Sequence, residues 1–208
     1  MKKILVALLV LSVAIGAVSA SDGRIGVSIS PEWFWNNTGD SGVSSGSTNF
    51  SLMAEGANYF GKKGGLGIEY GLGVTFPLNT WVEGSDPINV EDAPSSFIFK
   101  AGVGYRHEFS DLFGISAGVG INGKFQSRSY TVLGSEVSGN AFILGMYGDV
   151  MVDITLLEFL RINVGVMVGG PVYSAVNGSI GNIDIDMSDM FDTSGFSLAP
   201  VVALSFAY

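Results

Sequence analysis

Over the last thirteen residues, Phe196, Leu198, Pro200, Val202, Leu204, Phe206 and Tyr208 alternate with Ser197, Ala199, Val201, Ala203, Ser205 and Ala207. Successive side chains of a strand point to opposite faces, so this segment carries one wholly apolar face that ends on aromatics. The pattern recurs near 23–35, 49–60, 66–78, 96–108, 112–126, 141–154 and 160–173, which with 195–208 makes about eight strands. In the first, Ile25, Val27, Ile29, Trp33 and Trp35 oppose Arg24, Ser28, Ser30 and Glu32. The third sets Leu66, Ile68, Tyr70, Leu72, Val74 and Phe76 against Gly67, Glu69, Gly71, Gly73 and Thr75. Later segments repeat it, with Phe97, Phe99, Val103 and Tyr105, then Phe113, Ile115, Val119 and Ile121, then Met146, Val150 and Val152, then Ile162, Val164 and Val166 on the apolar side.

Runs of ~10 alternating residues are what a tilted strand needs to cross a bilayer. Beyond the first twenty residues, no apolar run approaches the ~20 that a spanning helix requires. Hydrocarbon tolerates only helices and closed barrels, because every backbone polar group must be paired within the protein. The periodicity therefore predicts an all-β fold, an antiparallel up-and-down transmembrane β-barrel of about eight strands.

The amino terminus agrees with that destination. Met1, Lys2 and Lys3 form a charged start, Ile4 to Val18 an apolar stretch, and Val18-Ser19-Ala20 a small-residue cleavage site. We read 1–20 as a cleaved signal peptide and 21–208 as a single barrel domain. The absence of cysteine leaves no disulfide framework and no cysteine-borne lipid anchor. Without Lys2 and Lys3 the chain keeps eight basic residues against nineteen acidic ones, a formal charge of −11, which disfavours nucleic acid as a partner.

The connections are expected to alternate between long ones, near 36–48, 79–95, 127–140 and 174–194, and short ones, near 61–65, 109–111 and 155–159. Membrane barrels of bacteria have long extracellular loops and tight periplasmic turns, so an even strand count would leave both termini in the periplasm. Aromatics then fall at two levels, with Trp33, Trp35, Phe50, Phe76, Phe97 and Phe142 near the long loops, and Phe60, Tyr105, Phe109, Phe113, Phe159, Phe206 and Tyr208 near the short turns. Two such girdles mark the two membrane interfaces.

Inward positions carry Arg24, Lys100, Arg106, Lys124 and Arg161 against Glu32, Glu55, Glu69, Asp149 and Asp153. Five against five is a neutral interior. The lumen of an eight-stranded barrel is only wide enough for side chains to fill, and buried charges must be paired. We expect a packed polar lumen, with Asp153 meeting Arg161 across the third short turn and Glu69 meeting Arg106. Glycines at 67, 71, 73, 102, 104, 114, 118 and 120 face inward on three consecutive strands and are expected to make room for long Lys and Arg side chains, or to leave a water-filled or ligand-holding slot. Pro200 lacks a ladder donor, so a bulge or broken pairing is expected there.

With its signal, alternation, loop asymmetry, the turn segment Asn58-Tyr59-Phe60-Gly61-Lys62-Lys63-Gly64-Gly65-Leu66-Gly67 and the aromatic end, the chain resembles the superfamily of small bacterial outer-membrane barrels that includes the OmpA transmembrane domain, OmpX and OmpW. The resemblance spans 21–208. It implies a place in outer-membrane lipid and recognition by the barrel-assembly machinery through Phe206 and Tyr208.

Chemistry is sparse, and no catalytic, cofactor-binding or metal centre is expected. Some small barrels modify lipid A with serine, histidine and a carboxylate, which directs attention to Arg106-His107-Glu108-Phe109-Ser110-Asp111, the setting of the sole histidine. Alternation nonetheless points His107 at the membrane interface beside a short turn, where a hydrogen-bonded interfacial histidine is the simpler reading. Asp184, Asp186, Asp189 and Asp192 in the last long loop are potential cation ligands, but they lack the central glycine and terminal glutamate of an EF-hand loop, and a solvated acidic loop explains them. The four long loops hold ten acids and only Arg128 as a base, giving a negative crown that could meet an extracellular ligand. The expected function is a non-enzymatic barrel serving envelope integrity or surface adhesion. A small channel of the OmpW type, for small apolar or cationic solutes, is the alternative, and an outer-membrane enzyme a distant third.

Overall fold

The structure is a computed structural model that describes residues 22–38, 43–61, 64–84, 86, 88–89, 95–132, 135–180, 183–186 and 195–208. The signal segment, Asp189 and Asp192 lie outside the described residues. Ten strands follow one another: β1 (Asp22–Thr38), β2 (Val43–Tyr59), β3 (Gly64–Val82), β4 (Ile88–Asn89), β5 (Ser96–Glu108), β6 (Phe113–Val132), β7 (Ser135–Leu157), β8 (Leu160–Ile180), β9 (Ile183–Asp186) and β10 (Phe196–Ala207). Eight of them form a closed antiparallel ring, because β10 pairs with β8 on one side and β1 on the other. The two short strands, β4 and β9, only extend β3 and β8 at one end. Closure leaves no unpaired edge among the eight, as hydrocarbon requires.

Burial is inverted relative to a water-soluble protein. Val103, Val119 and Met146 are 57%, 59% and 58% exposed, whereas Asp153 and Arg106 are 0% and 1% exposed. Within the belt most large apolar residues point outward and the charges point inward, the arrangement that suits lipid outside and a polar lumen.

Ladder register assembles the aromatics into belts. At one level Trp35 faces Phe196, Phe50 faces Phe76, and Phe97, Phe125 and Phe142 run across three neighbouring strands. Trp35 and Phe196 stack with centroids 6.0 Å apart. At the other level stand Phe60, Tyr105, Phe109, Phe113, Phe159, Phe206 and Tyr208, all exposed. Ten residues separate Phe196 from Phe206 on β10; at ~3.3 Å per residue and a ~40° tilt they are ~25 Å apart, the height of a membrane barrel's apolar band.

The described residues of the long connections expected near 36–48, 127–140 and 174–194 are strand. Pairing runs on to Thr38–Val43, to Val132–Ser135 and to Val137–Ile180. β7 reaches 23 residues, about twice the ~10 needed to cross the bilayer, so the wall continues beyond the belt at this end. Beyond the hydrocarbon both faces of a strand can be polar, and the backbone ladder persists without an alternation to announce it. We call this the loop end, and the other, with both described termini and the connections 60–63, 109–112 and 158–159, the turn end. At the turn between β2 and β3, Gly64 and Gly65 take φ of 106° and 131°, and Phe60 N–H bonds to the Leu66 carbonyl at 2.8 Å.

Pro200 marks a broken pairing, not a bulge. The β1–β10 ladder runs from Arg24–Ala207 to Ile29–Val202 and resumes at Trp33–Leu198 in the same register. Pro31 and Pro200 fall in that gap, and neither has an N–H to donate. Ser30 Oγ–H bonds to the Pro200 carbonyl at 2.8 Å, while the β10–β8 ladder passes Pro200 without interruption.

Candidate functional site

The interior divides into two halves. At the turn end a network of six charges closes the lumen. Asp153 takes Arg24 Nη1 at 2.7 Å, Arg106 Nε at 2.6 Å and Asn163 Nδ2 at 2.6 Å. Arg106 also meets Asp22, and Glu108 at 2.9 Å. Arg161 bridges Asp22 at 3.0 Å and Glu108 at 3.6 Å. Ser205 hydroxyl donates to Asn163 Oδ1 at 2.7 Å, and Arg24 reaches Tyr59 and Ser116 at 3.4 Å. Three acids and three arginines balance, and multiple donors on one carboxylate are what make such burial tolerable.

Here two expected pairings are corrected. Asp153 and Arg161 do not meet: the register places Asn163 opposite Asp153, and Arg161 opposite Thr155, so Asn163 takes the contact and Arg161 turns to Asp22. Glu69 does not meet Arg106 either; its Oε1 accepts from Tyr59 hydroxyl at 3.0 Å, and Arg106 is held by acids nearer the turn end.

Toward the loop end the lumen is open. A cavity of about 550 Å³ extends from Glu55, Lys100, Asp149 and Met151 up to Asn36, Thr80 and Gln126. Its wall is mostly polar on β1, β2 and β3, with Ser30, Asn49, Ser51 and Thr75, and mixed elsewhere, where Ile98, Ile143, Met167 and Val201 stand among Asn122, Lys124 and Ser197. The packed lumen expected from the sequence is thus confined to the turn end. Small inward residues on β10, Ala199 and Val201, and glycines such as Gly145 and Gly170 leave the upper half unfilled. Glu32 and Lys124 pair at 3.4 Å in this half, and Glu55 and Lys100 at 2.7 Å form the floor.

Below that floor the inward glycines explain themselves. A Cβ at Gly102 would meet Tyr147 hydroxyl at 2.5 Å, one at Gly104 would overlap the Glu69 carboxylate, and one at Gly118 would overlap Glu69 Oε2 and lie 3.0 Å from Asp149 Oδ1. At Gly102, Gly104 and Gly118 the bare wall makes room for a glutamate and a tyrosine, while the long basic chains expected lie against Gly114, where a Cβ would sit 3.4 Å from Arg106 Nη2, and Gly71, where one would sit 3.1 Å from Lys100 Cγ.

All ten charges singled out from the sequence line the interior, and Asp22 and Glu108 join them through their arginines. The sequence reading missed both, although each shares the parity of its neighbour, Arg24 or Arg106. The interior count becomes seven acids against five bases. Among the described residues, Glu69 and Asp149 are the lumen acids without an ion pair, and Glu69 Oε2, Asp149 Oδ1 and Tyr147 hydroxyl are buried without a hydrogen-bond partner.

His107 lies on the outer wall with its ring edge-on to Phe109 at 4.9 Å. Ser110 Oγ accepts Leu112 and Phe113 N–H at 3.3 and 3.2 Å, so its hydroxyl caps the turn. No hydrogen bond joins the two, and a nucleophile without a base in reach is not activated. Asp184 and Asp186 fall on β9, at the loop end.

No protein-family model matches the sequence, and no curated protein matches it. Solved structures do. The chain is similar to the Neisserial surface protein A, with a TM-score of 0.53 and 9% identity over 89% of this chain and 97% of that one. It is also similar to a major outer membrane protein from Thermus thermophilus, with a TM-score of 0.50 and 11% identity over 88% and 99%. At such identity the likeness is one of fold: this chain has the architecture of the small outer-membrane β-barrels.

Proposed function

We propose that the chain is a non-enzymatic outer-membrane barrel whose lumen does not conduct and whose loop end faces outward, serving envelope integrity or surface adhesion. The observation that carries this reading is the neutral six-charge network across the turn end, in which Asp153 is 0% exposed and engaged by three donors. A solute entering the 550 Å³ cavity meets that network before it can leave. The part left to meet the surroundings is then the loop end, where the acidic residues of the sequence concentrate. In this reading the first twenty residues are removed on export, both termini lie in the periplasm, Phe206 and Tyr208 present the aromatic end to the assembly machinery, and the apolar belt sits in outer-membrane lipid. The open half supports the alternative of a small channel only as far as its entrance.

Conductance in a planar bilayer tests the reading. The purified, folded chain is expected to give no stable current steps. Regular steps from the wild type would establish a through path and favour the channel.

A further inference from the structure

One ladder of the ring has no connection to set its register. Seven of the eight pairings join strands that are consecutive in the chain, apart from the short β4 and β9, whereas β1 and β10 meet only at closure. A hairpin takes its register from the turn; a seam between distant strands must take it from side chains. A slip of one residue is excluded, since it would turn the apolar face of β10 into the lumen. A slip of two is not. Ile25, Val27 and Ile29 face Phe206, Leu204 and Val202 outside, and Arg24, Gly26 and Ser28 face Ala207, Ser205 and Ala203 within, so either register shows lipid the same kind of surface. Pro31 and Pro200 remove the same two donors wherever they fall. Ser30 bonds a backbone carbonyl, a group that every residue of β10 offers.

A residue just past β10 breaks this degeneracy. Asn58 shares the lipid-facing parity of the exposed Leu52 and Ala54 on β2, yet it is 0% exposed. Two tyrosine rings cover it. Tyr208, from the far side of β1, donates its phenol hydrogen to Asn58 Oδ1 at 2.6 Å, and Asn58 Nδ2 donates to the Tyr70 phenol oxygen on β3 at 3.2 Å. Gly23 lets Tyr208 cross β1: the two exchange backbone hydrogen bonds at 3.2 and 3.0 Å, and a Cβ on Gly23 would overlap the tyrosine ring. Displaced by two residues toward the loop end, Tyr208 would stand against the side chain of Ile25, ~7 Å from its place beside Asn58. Displaced the other way, it would pass the start of β1 at Asp22.

We propose that Tyr208, Asn58 and Tyr70, closing over the bare backbone of Gly23, form a clasp that selects the register in which the barrel closes. A two-residue error at the seam changes the stagger of the whole ring, and with it the strand tilt and lumen width on which the interior contacts depend. The amide is suited to this task because it is costly in apolar surroundings unless both of its groups are bonded. The native register bonds both.

The chain has no cysteine, so introduced pairs on the outer wall report the register directly. Ile25→Cys with Phe206→Cys opposes two thiols in the native register. Val27→Cys with Phe206→Cys does so only after a slip of two toward the loop end, and Ile25→Cys with Leu204→Cys only after a slip the other way. In the native register these last two pairs are diagonal, ~7–8 Å apart, too far for a disulfide. The whole chain is refolded into detergent micelles and oxidised, and the linked fraction is read on a gel. Without further change only the first pair is expected to link beyond a trace. Tyr208→Phe, which removes one oxygen and keeps the ring, or Asn58→Leu, which suits a lipid-facing position, is expected to raise the slipped-to-native ratio about tenfold, as the loss of one or two hydrogen bonds would. If Asn58→Leu does not fold, Tyr208→Phe carries the test alone. An unchanged ratio in folded Tyr208→Phe would overturn the proposal. So would a rise with Arg24→Met and none with Tyr208→Phe, which would give the register to the interior charges.

Discussion

At the turn end of this barrel, three acids and three arginines interlock so closely that Asp153 is engaged by Arg24, Arg106 and Asn163 at once. Toward the loop end, the same wall of eight strands surrounds a cavity of about 550 Å³ with ion pairs, among the described residues, at Glu32–Lys124 and Glu55–Lys100 only. The difference lies in side chains and not in strand number or closure. Long arginines and asparagines project inward below, while serines, glycines and alanines do so above. A narrow barrel can thus be a plug and a vessel in the same molecule, and which half a residue occupies decides what it contributes.

The sharpest way to break that contrast is to remove a charge from each half. Arg106 is 1% exposed and touches Asp22, Glu108 and Asp153, so Arg106→Met leaves the three acids of the network to share Arg24 and Arg161. Breaking a buried network from one side costs about 3–5 kcal/mol, and the urea midpoint of the folded barrel is expected to fall accordingly. Lys124 is 31% exposed and makes one ion pair at 3.4 Å. Lys124→Met is expected to cost under ~1 kcal/mol, as for exposed pairs. Equal losses would mean that the two halves are not energetically distinct.

A second comparison sets the crowded inner wall against the lipid face. A Cβ at Gly120 would overlap the Ala101 carbonyl oxygen, sit 2.6 Å from Gly102 Cα and press on the Tyr147 ring at 2.8 Å. Backbone cannot step aside as a flexible side chain can, so Gly120→Ala is expected to cost ~1–3 kcal/mol, as overpacking does. Gly148 points outward, with nothing nearer than 3.7 Å. Gly148→Ala is expected to stay within ~0.5 kcal/mol of wild type. Urea unfolding of the two variants side by side checks both.

These contrasts also mark how far the sequence could be read. Period two identifies a face, so the inward set, the apolar exterior and the girdles were legible from alternation alone. It does not identify a partner. Which carboxylate meets Arg161 depends on the stagger between strands, and the register sets Arg161 against Thr155 and Ser205, from where Asp22 is the acid within reach. The glycine wall was visible as a pattern, but its purpose depended on Glu69 and Tyr147 reaching across from β3 and β7. Strand continuation past the hydrocarbon was illegible for a different reason: Ser127 to Asn140 mixes polar residues with Tyr130, Val132, Leu133 and Val137 on both parities, so nothing in its alternation separates a ladder from a loop. The size of the open half was equally hidden, since an absence of bulk is a sum over many small inward residues.

The smallest effect concerns the seam between the first and last strands. Its ladder fails where Pro31 and Pro200 fall, at the level of Ser30, Glu32, Ala199 and Val201, all of which line the open cavity. Below, from Arg24–Ala207 to Ile29–Val202, the same seam is continuous beside the charge network. The seam is therefore weaker where the interior is empty. Pro31→Val with Pro200→Val supplies two new N–H donors to a register already in place, each worth ~0.5–1.5 kcal/mol if the bond forms. Against this stands the freedom that prolines remove from the unfolded chain, ~0.4–1 kcal/mol per site. The net expectation is a gain of less than ~1 kcal/mol, together with slower hydrogen exchange at the seam amides that flank the gap, Ile29, Trp33, Leu198 and Val202. Exchange unchanged at those amides would show that the gap is set by the curvature of the wall and not by the prolines within it.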